Sequence, residues 1–219
     1  MNQRASPNLA MAMLAFHKII TRGLEVSLQN ARQGNSAIDE SRSGFHDYVH
    51  SLASVLHAHH LTEDELVFPY LKTVLPEPPY DKLSSDHKLM ESMIEALENA
   101  NGRWNSGAGD SIGEIASSLE SLSNLWYPHI EIEEMQIYVP EKLAELIAPQ
   151  EHLRLLQQSG ELGMKNMGPH YLVVPFILYN LEPGPRSMIA SRLPSDITEQ
   201  LVPVTWKDQW APMKPFLLE

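Results

Sequence analysis

His17 and His59 stand 42 residues apart in this chain, and so do His87 and His129. Each span is followed four residues later by a glutamate, Glu63 after His59 and Glu133 after His129. All four histidines fall on apolar faces read at helical period: His17 between Met13 and Ile20, His59 between Leu56 and Leu66, His87 one turn before Met90 and Ile94, and His129 one turn after Leu125. One histidine on such a face is ordinarily a buried, hydrogen-bonded side chain. Four of them, one on each of four helices and repeating one spacing, are not explained that way. Residues four apart on a helix lie about 40° apart around its axis, so His59 with Glu63, and His129 with Glu133, can reach a single ion.

The helices are delimited by ordinary signals. The first follows Ser6-Pro7, carries Leu9, Met13, Phe16, Ile20, Leu24 and Leu28 on one face, and ends at Gly34-Asn35. The second spans about 39–74, with Phe45, Val49, Leu52, Leu56, Leu66 and Tyr70 inward and Pro69 expected to bend or end it. The third starts near Ser84-Ser85, shows Met90, Ile94 and Leu97, and stops before Gly102. The fourth spans about 110–139, with Ile112, Ile115, Leu119, Leu122 and Leu125 inward and Pro128 within it. The predicted architecture is all-α: two helical hairpins of equal span, related by a pseudo-twofold axis, forming an up-down four-helix bundle over residues 1–148. Nine of the 16 prolines lie from Pro149 onward. Residues 149–219 read as a C-terminal extension of short, proline-broken helices packed on the bundle. Its apolar run Tyr171 to Leu181 and its Trp206, Trp210 and Phe216 argue for order.

Composition narrows the chemistry. The 219 residues carry a formal charge of −12 and no cysteine. An acidic chain does not suit a phosphate backbone, so nucleic acid is not an expected partner. Without cysteine there are no disulfides, thiolate metal sites or cysteine nucleophiles. No apolar run approaches a membrane span, so no membrane is expected. The short run Leu9 to Phe16 resembles a secretory leader, but its apolar rhythm continues through Ile20, Leu24 and Leu28, which suits a helix and a cytoplasmic protein.

Four histidines and two glutamates in the middle of a bundle need partners, and facing helices are a known place for metal sites. Nitrogen and oxygen donors suit iron, manganese or zinc. Six or seven ligands are too many for one tetrahedral zinc and fit two ions bridged by carboxylates. The Glu-x2-His scheme of ferritin-like proteins is excluded, because no histidine has a glutamate three residues before it. The His-Glu-x2-His pattern of zinc proteases is absent as well.

As a set, His17, His59-x3-Glu63, His87 and His129-x3-Glu133 resemble the hemerythrin-like, or HHE cation-binding, domain, and the tract from His59 to Pro69 is similar to that family's second helix. The resemblance covers about residues 7–148. It implies a non-heme site of two iron ions that binds or reacts with dioxygen, with those six residues as ligands and Glu63 and Glu133 bridging. Iron comes from the resemblance; spacing alone also accepts manganese or a mixed pair. Oxygen-carrying hemerythrins place a second histidine four residues after the one on the third helix, and here that position is Glu91. As a seventh ligand Glu91 would make the site more electron-rich and favour oxidation chemistry; otherwise it faces solvent or pairs with Lys88.

On an ideal helix His60 points roughly 100° from His59, which places it behind a ligand, orienting it. His46 and His50, four apart, can share an ion but equally suit a polar flank. His57, His152 and His170 read as surface or tail residues. Tyr127 or Tyr138 near the site can gate electrons or hydrogen-bond oxygen. The expected function is a di-iron oxidase or oxygenase acting on dioxygen and a small organic substrate, in a pocket shaped by Tyr171, Phe176, Tyr179, Trp206 and Trp210. The alternatives are reversible dioxygen binding, oxygen or iron sensing, or a metal store.

Overall fold

The computed structural model describes residues 8–33, 41–108 and 111–218. The end signals Ser6-Pro7 and Gly34-Asn35, and the expected starts at Asp39 and Asp110, lie outside the described residues. Among the described residues there are ten α-helices and no strand: α1 (Leu9–Gln33), α2 (Arg42–Thr62), α3 (Phe68–Val74), α4 (Tyr80–Asn105), α5 (Ser111–Gln136), α6 (Pro140–Leu146), α7 (Pro149–Asn166), α8 (His170–Tyr179), α9 (Pro183–Ala190) and α10 (Lys207–Trp210). A π-helical turn over Glu63–Val67 joins α2 to α3, a second covers Ile197–Thr205, and a 3-10 turn covers Ala211–Phe216. No helix among the described residues is long and apolar enough to cross a membrane.

The four long helices close a ring: α1 packs on α2, α2 on α4, α4 on α5, and α5 on α1. The ring holds two hydrophobic clusters. The larger contains Ile20 and Leu24 of α1, Leu52 and Leu56 of α2, Met90 and Leu97 of α4, and Leu119 and Trp126 of α5. The smaller contains Leu9 and Met13 of α1, Val67, Phe68 and Leu71, Leu83 of α4, and Ile137 and Tyr138 beyond α5. Along α1 and α4 the chain passes from the smaller cluster through its histidine to the larger, and along α2 and α5 it passes the other way. Successive long helices therefore run in opposite senses, and the polar residues His17, His59, Glu63, His87, His129 and Glu133 form a layer between two apolar ones.

The second helix reaches Val74 as expected, while other boundaries differ. Pro69 does not end it. It lacks the N–H for an i→i−4 bond and its ring crowds the carbonyl one turn back. The chain adapts beforehand by widening to a π turn, in which the Phe68 N–H donates to the Glu63 carbonyl, and then continues helical. The extra residue in that turn shifts the inward face: Val67, Phe68 and Leu71 are buried, whereas Leu66 and Tyr70 are only partly so. The third bundle helix starts at Tyr80, a turn before Ser84-Ser85, and runs past Gly102 to Asn105. The fourth runs through Pro128 but ends at Gln136, short of Val139.

The extension is helical, with proline in the first turn of α7 and α9. It shares the larger core rather than capping it: Val173, Phe176, Val202, Trp210, Met213 and Phe216 belong to the same cluster as Leu52 and Trp104. Arg22 of α1 ties the two parts, its Nη1 donating to Tyr48 Oη (3.1 Å), to Asn180 Oδ1 and to the Phe216 carbonyl (2.8 Å). Gly44 of α2 lets the 3-10 turn approach: a Cβ there would stand 1.9 Å from the Pro212 carbonyl oxygen. His152, read as a surface or tail residue, lies in the extension and is buried. Its Nδ1 accepts from the Leu9 N–H (3.1 Å) and its Nε2 donates to the Leu143 carbonyl (3.2 Å), so it satisfies an end group of α1.

Candidate metal centre

The six sequence-predicted ligands meet in the polar layer, and each is at most 5% exposed. Their inner atoms converge on the two glutamates. His17 Nε2 lies 3.2 Å from Glu133 Oε2, His129 Nε2 3.2 Å from Glu133 Oε1, and His59 Nε2 and His87 Nε2 each 3.4 Å from Glu63 Oε2. The His87 and His129 Nε2 atoms are 3.0 Å apart. Two groups result, each with its donor atoms within 4.8 Å of one another: His17, His59, Glu63 and Glu133, and Glu63, His87, His129 and Glu133. Both contain both glutamates.

The outer nitrogens are held from behind. His17 Nδ1 donates to Glu134 Oε1 (2.9 Å), His87 Nδ1 lies 3.0 Å from Asp64 Oδ2, and His129 Nδ1 lies 3.5 Å from Asp86 Oδ2. The two aspartates are fixed in turn, Asp64 by Ser84 Oγ and Asp86 by Lys82 Nζ, each at 2.5 Å. A carboxylate behind an imidazole sets its tautomer and turns the other nitrogen toward a metal. Tyr138 Oη donates to Glu63 Oε1 at 2.6 Å. Its position follows from how α5 ends: the N–H groups of Ile137 and Tyr138 both donate to the Glu133 carbonyl, at 2.8 and 2.7 Å, which swings Tyr138 inward. Each ligand glutamate thus sits where a helix widens to an i→i−5 bond, a feature common at functional sites.

The electrostatics fit a cation. Burial pushes the Glu63 carboxyl well above its ordinary range, reinforced by the Glu133 charge. Burial also acts on Glu133, but the close imidazoles of His129 and His17 prevail and hold it below. At His17 burial opposes the charged form, yet Glu133 and Glu134 prevail and raise its pKa. Burial holds His59 well below the usual histidine range, aided by the neighbouring His17. Two buried glutamates this close cannot both ionise without positive charge between them. Among the described residues, His17 Nε2, His59 Nε2, Glu63 Oε2 and both Glu133 oxygens lack a hydrogen-bond partner. Orphaned donors and acceptors in a dry layer are costly, and here they all face one point. The donor set fits two ions. His17, His59, His87 and His129 would supply nitrogens and Glu63 and Glu133 would lie between.

Other candidates are placed elsewhere. Glu91 is 52% exposed, and both its oxygens accept from His57 Nδ1 at 2.9 Å, so it lies outside the cluster and does not pair with Lys88. The fourth-on position of that helix points to the bundle surface. Tyr127 is also at the surface, on Glu25. His46 and His50 stack on each other, and His50 bonds Glu98 and the Gly168 carbonyl, a tie between α2, α4 and the extension. His170 is exposed. His60 is buried and makes no hydrogen bond to a ligand; its ring lies flat on that of His87, 4.1 Å between centroids.

A cavity of ≈ 1380 Å³ runs between α1, α2 and the extension helices α7–α9, and His59 and Thr62 line it. Its walls are mostly apolar, with Phe16, Met13, Met164, Met167 and Met188 prominent. The tail aromatics expected to shape it do not. Phe176 packs against Tyr48, and Tyr179 stacks with Trp210, so they fill the core instead.

The family pattern "Hemerythrin HHE cation binding domain" matches residues 9–139, more than half of the chain, and the chain belongs to that family. It is therefore a metal-binding helical protein, and its buried histidine–glutamate cluster has the donors to hold a metal. The chain matches no curated protein and no solved structure.

Proposed function

We propose that the chain holds two non-heme iron ions at His17, His59, Glu63, His87, His129 and Glu133, and uses dioxygen to oxidise a small apolar organic molecule. The observation that carries this reading is the cavity reaching His59. A protein that only stores or reversibly carries oxygen has no use for an apolar chamber of that size beside its metal ligands, whereas a substrate does. Ferrous iron would supply the electrons that reduce dioxygen. The protein's own groups do the rest. Glu134, Asp64 and Asp86 orient three imidazoles, Tyr138 donates to Glu63 and fixes its carboxylate, and Trp126, Phe16 and Phe68 pack on the histidine rings and exclude water. Methionine walls adapt to irregular apolar shapes.

The test is to load metal-free protein with ferrous iron under nitrogen, count iron per chain, admit oxygen and follow the visible spectrum. An irreversible ferric product is expected. A coloured adduct that vanishes when oxygen is removed would replace this reading with reversible binding or sensing. Gly160 lines the cavity, and a Cβ there meets nothing within 4 Å. Gly160→Trp should keep the iron and lose binding of an apolar naphthalene probe; unchanged probe binding would remove the cavity from the mechanism.

A further inference from the structure

We propose that His60 is a metal ligand, completing a three-nitrogen set with His87 and His129 on one ion, while His17 and His59 hold the other ion beside the cavity. The inference rests on the metal centre proposed above and adds an inequality between its two ions.

His60 follows His59 directly on α2 yet is buried like it, 3% exposed. Neither of its ring nitrogens has a hydrogen-bond partner among the described residues. A neutral imidazole carries one donor and one acceptor, and leaving both unmet in a dry interior costs more than most buried side chains bear. Its neighbours offer no replacement: His87 lies flat beneath it, His129 stands 5.8 Å away between centroids at 71°, and Trp126 closes a further side. One nitrogen each of His60, His87 and His129 lies within 4.8 Å of the others, all three residues being buried. A cation among them would satisfy one of the two orphaned nitrogens of His60.

The position four residues after His87 is Glu91, turned outward onto His57. His60, from the second helix, brings a nitrogen to the same ion from another direction. The nitrogens then divide three to two. His59 lines the cavity, whereas His60, His87 and His129 do not. The ion with fewer nitrogen ligands is the one next to the chamber, where small molecules would meet it.

The test is anaerobic titration of metal-free protein with cobalt(II), read by ions bound per chain and by the visible absorption of the bound cobalt. His60→Phe keeps the flat contact with His87 and removes the nitrogen. It should bind one ion as the parent does and the second at least tenfold more weakly, with the absorption of one cobalt changed. His60→Glu, which restores a donor, should recover two ions, and His57→Phe on the outer face should match the parent. Two ions bound by His60→Phe with parental affinity and spectrum overturn the proposal and leave the two-ion centre intact. If His60→Phe is misfolded by circular dichroism, His60→Glu decides in its place: an absorption band identical to the parent's overturns the proposal, a shifted band with two ions supports it. A parent chain that takes up no cobalt overturns both the centre and this assignment.

Discussion

By spacing His59 is a ligand and Glu91 a candidate seventh, and the two separate cleanly by burial. His59→Ala should sharply reduce iron per chain and lower the melting temperature of the loaded protein, because it removes a ligand and leaves Glu63 without its neighbour. Glu91→Ala should leave metal content unchanged, since its carboxylate serves His57 at the surface. Metal analysis after gel filtration checks both. Tyr138→Phe removes the hydrogen bond to Glu63 and nothing else of comparable reach. Both ions should stay, at a cost of about 1 kcal/mol in stability, while the rate of reaction with oxygen changes. Stopped-flow absorption against the parent decides it. The two His-x3-Glu pairs could be read from the sequence because a helix presents every fourth residue on one side. His60 could not, because the 100° rule assumes one buried face. Helix α2 is covered by the bundle on one side and by the extension on another, and its buried set includes Ala58, His59, His60 and Thr62 almost in succession. No periodicity announces a helix buried on two sides by partners distant in sequence.

Inward faces were misread where the chain compensates for a proline. Pro69 is the instructive case: its missing N–H is absorbed by the π turn before it, so the apolar rhythm slips by one residue from Leu66 and Tyr70 to Val67 and Leu71. The joint between α2 and the extension offers two measurements. Gly44→Ala sets a methyl against the Pro212 carbonyl, which is backbone and cannot rotate aside. The 3-10 turn must shift, and chemical denaturation should show a loss of about 1–3 kcal/mol. His50 supplies a pH dependence. Its Nδ1 faces Glu98 and its Nε2 the Gly168 carbonyl, two acceptors that only an imidazolium satisfies together. Chiefly the Glu98 hydrogen bond, and also the nearby Asp47 charge, raise its pKa above 6.5 against the effect of burial. Its stabilisation is therefore full below 6.5 and is lost as pH rises through the raised folded value. The difference in melting temperature between the parent and His50→Gln should shrink over that rise; a constant difference would show that the proton plays no part.

In the molecule as a whole, the sequence pointed to a helical bundle with an ordered tail, and it divided them at Pro149. That break in composition is real, but the packing crosses it: Phe176 and Met213 share one core with Leu52. Cavity walls were unreadable for a related reason. Methionines and small residues of α7–α9 carry no periodic mark, and which of them faces α1 is decided by how short helices turn at each proline.

The polar layer cuts across all four long helices between the larger and the smaller apolar cluster. Deprived of its ions, such a layer is a fault plane. The end of the molecule holding Leu9, Phe68, Leu83 and Tyr138 should then open on its own, since few apolar contacts bridge the gap. Amide exchange in metal-free protein should be fast at that end and slow around Leu52 and Trp126, and one cooperative unit should return when metal is restored. The ions would serve as the weld that makes two stacked cores unfold as one.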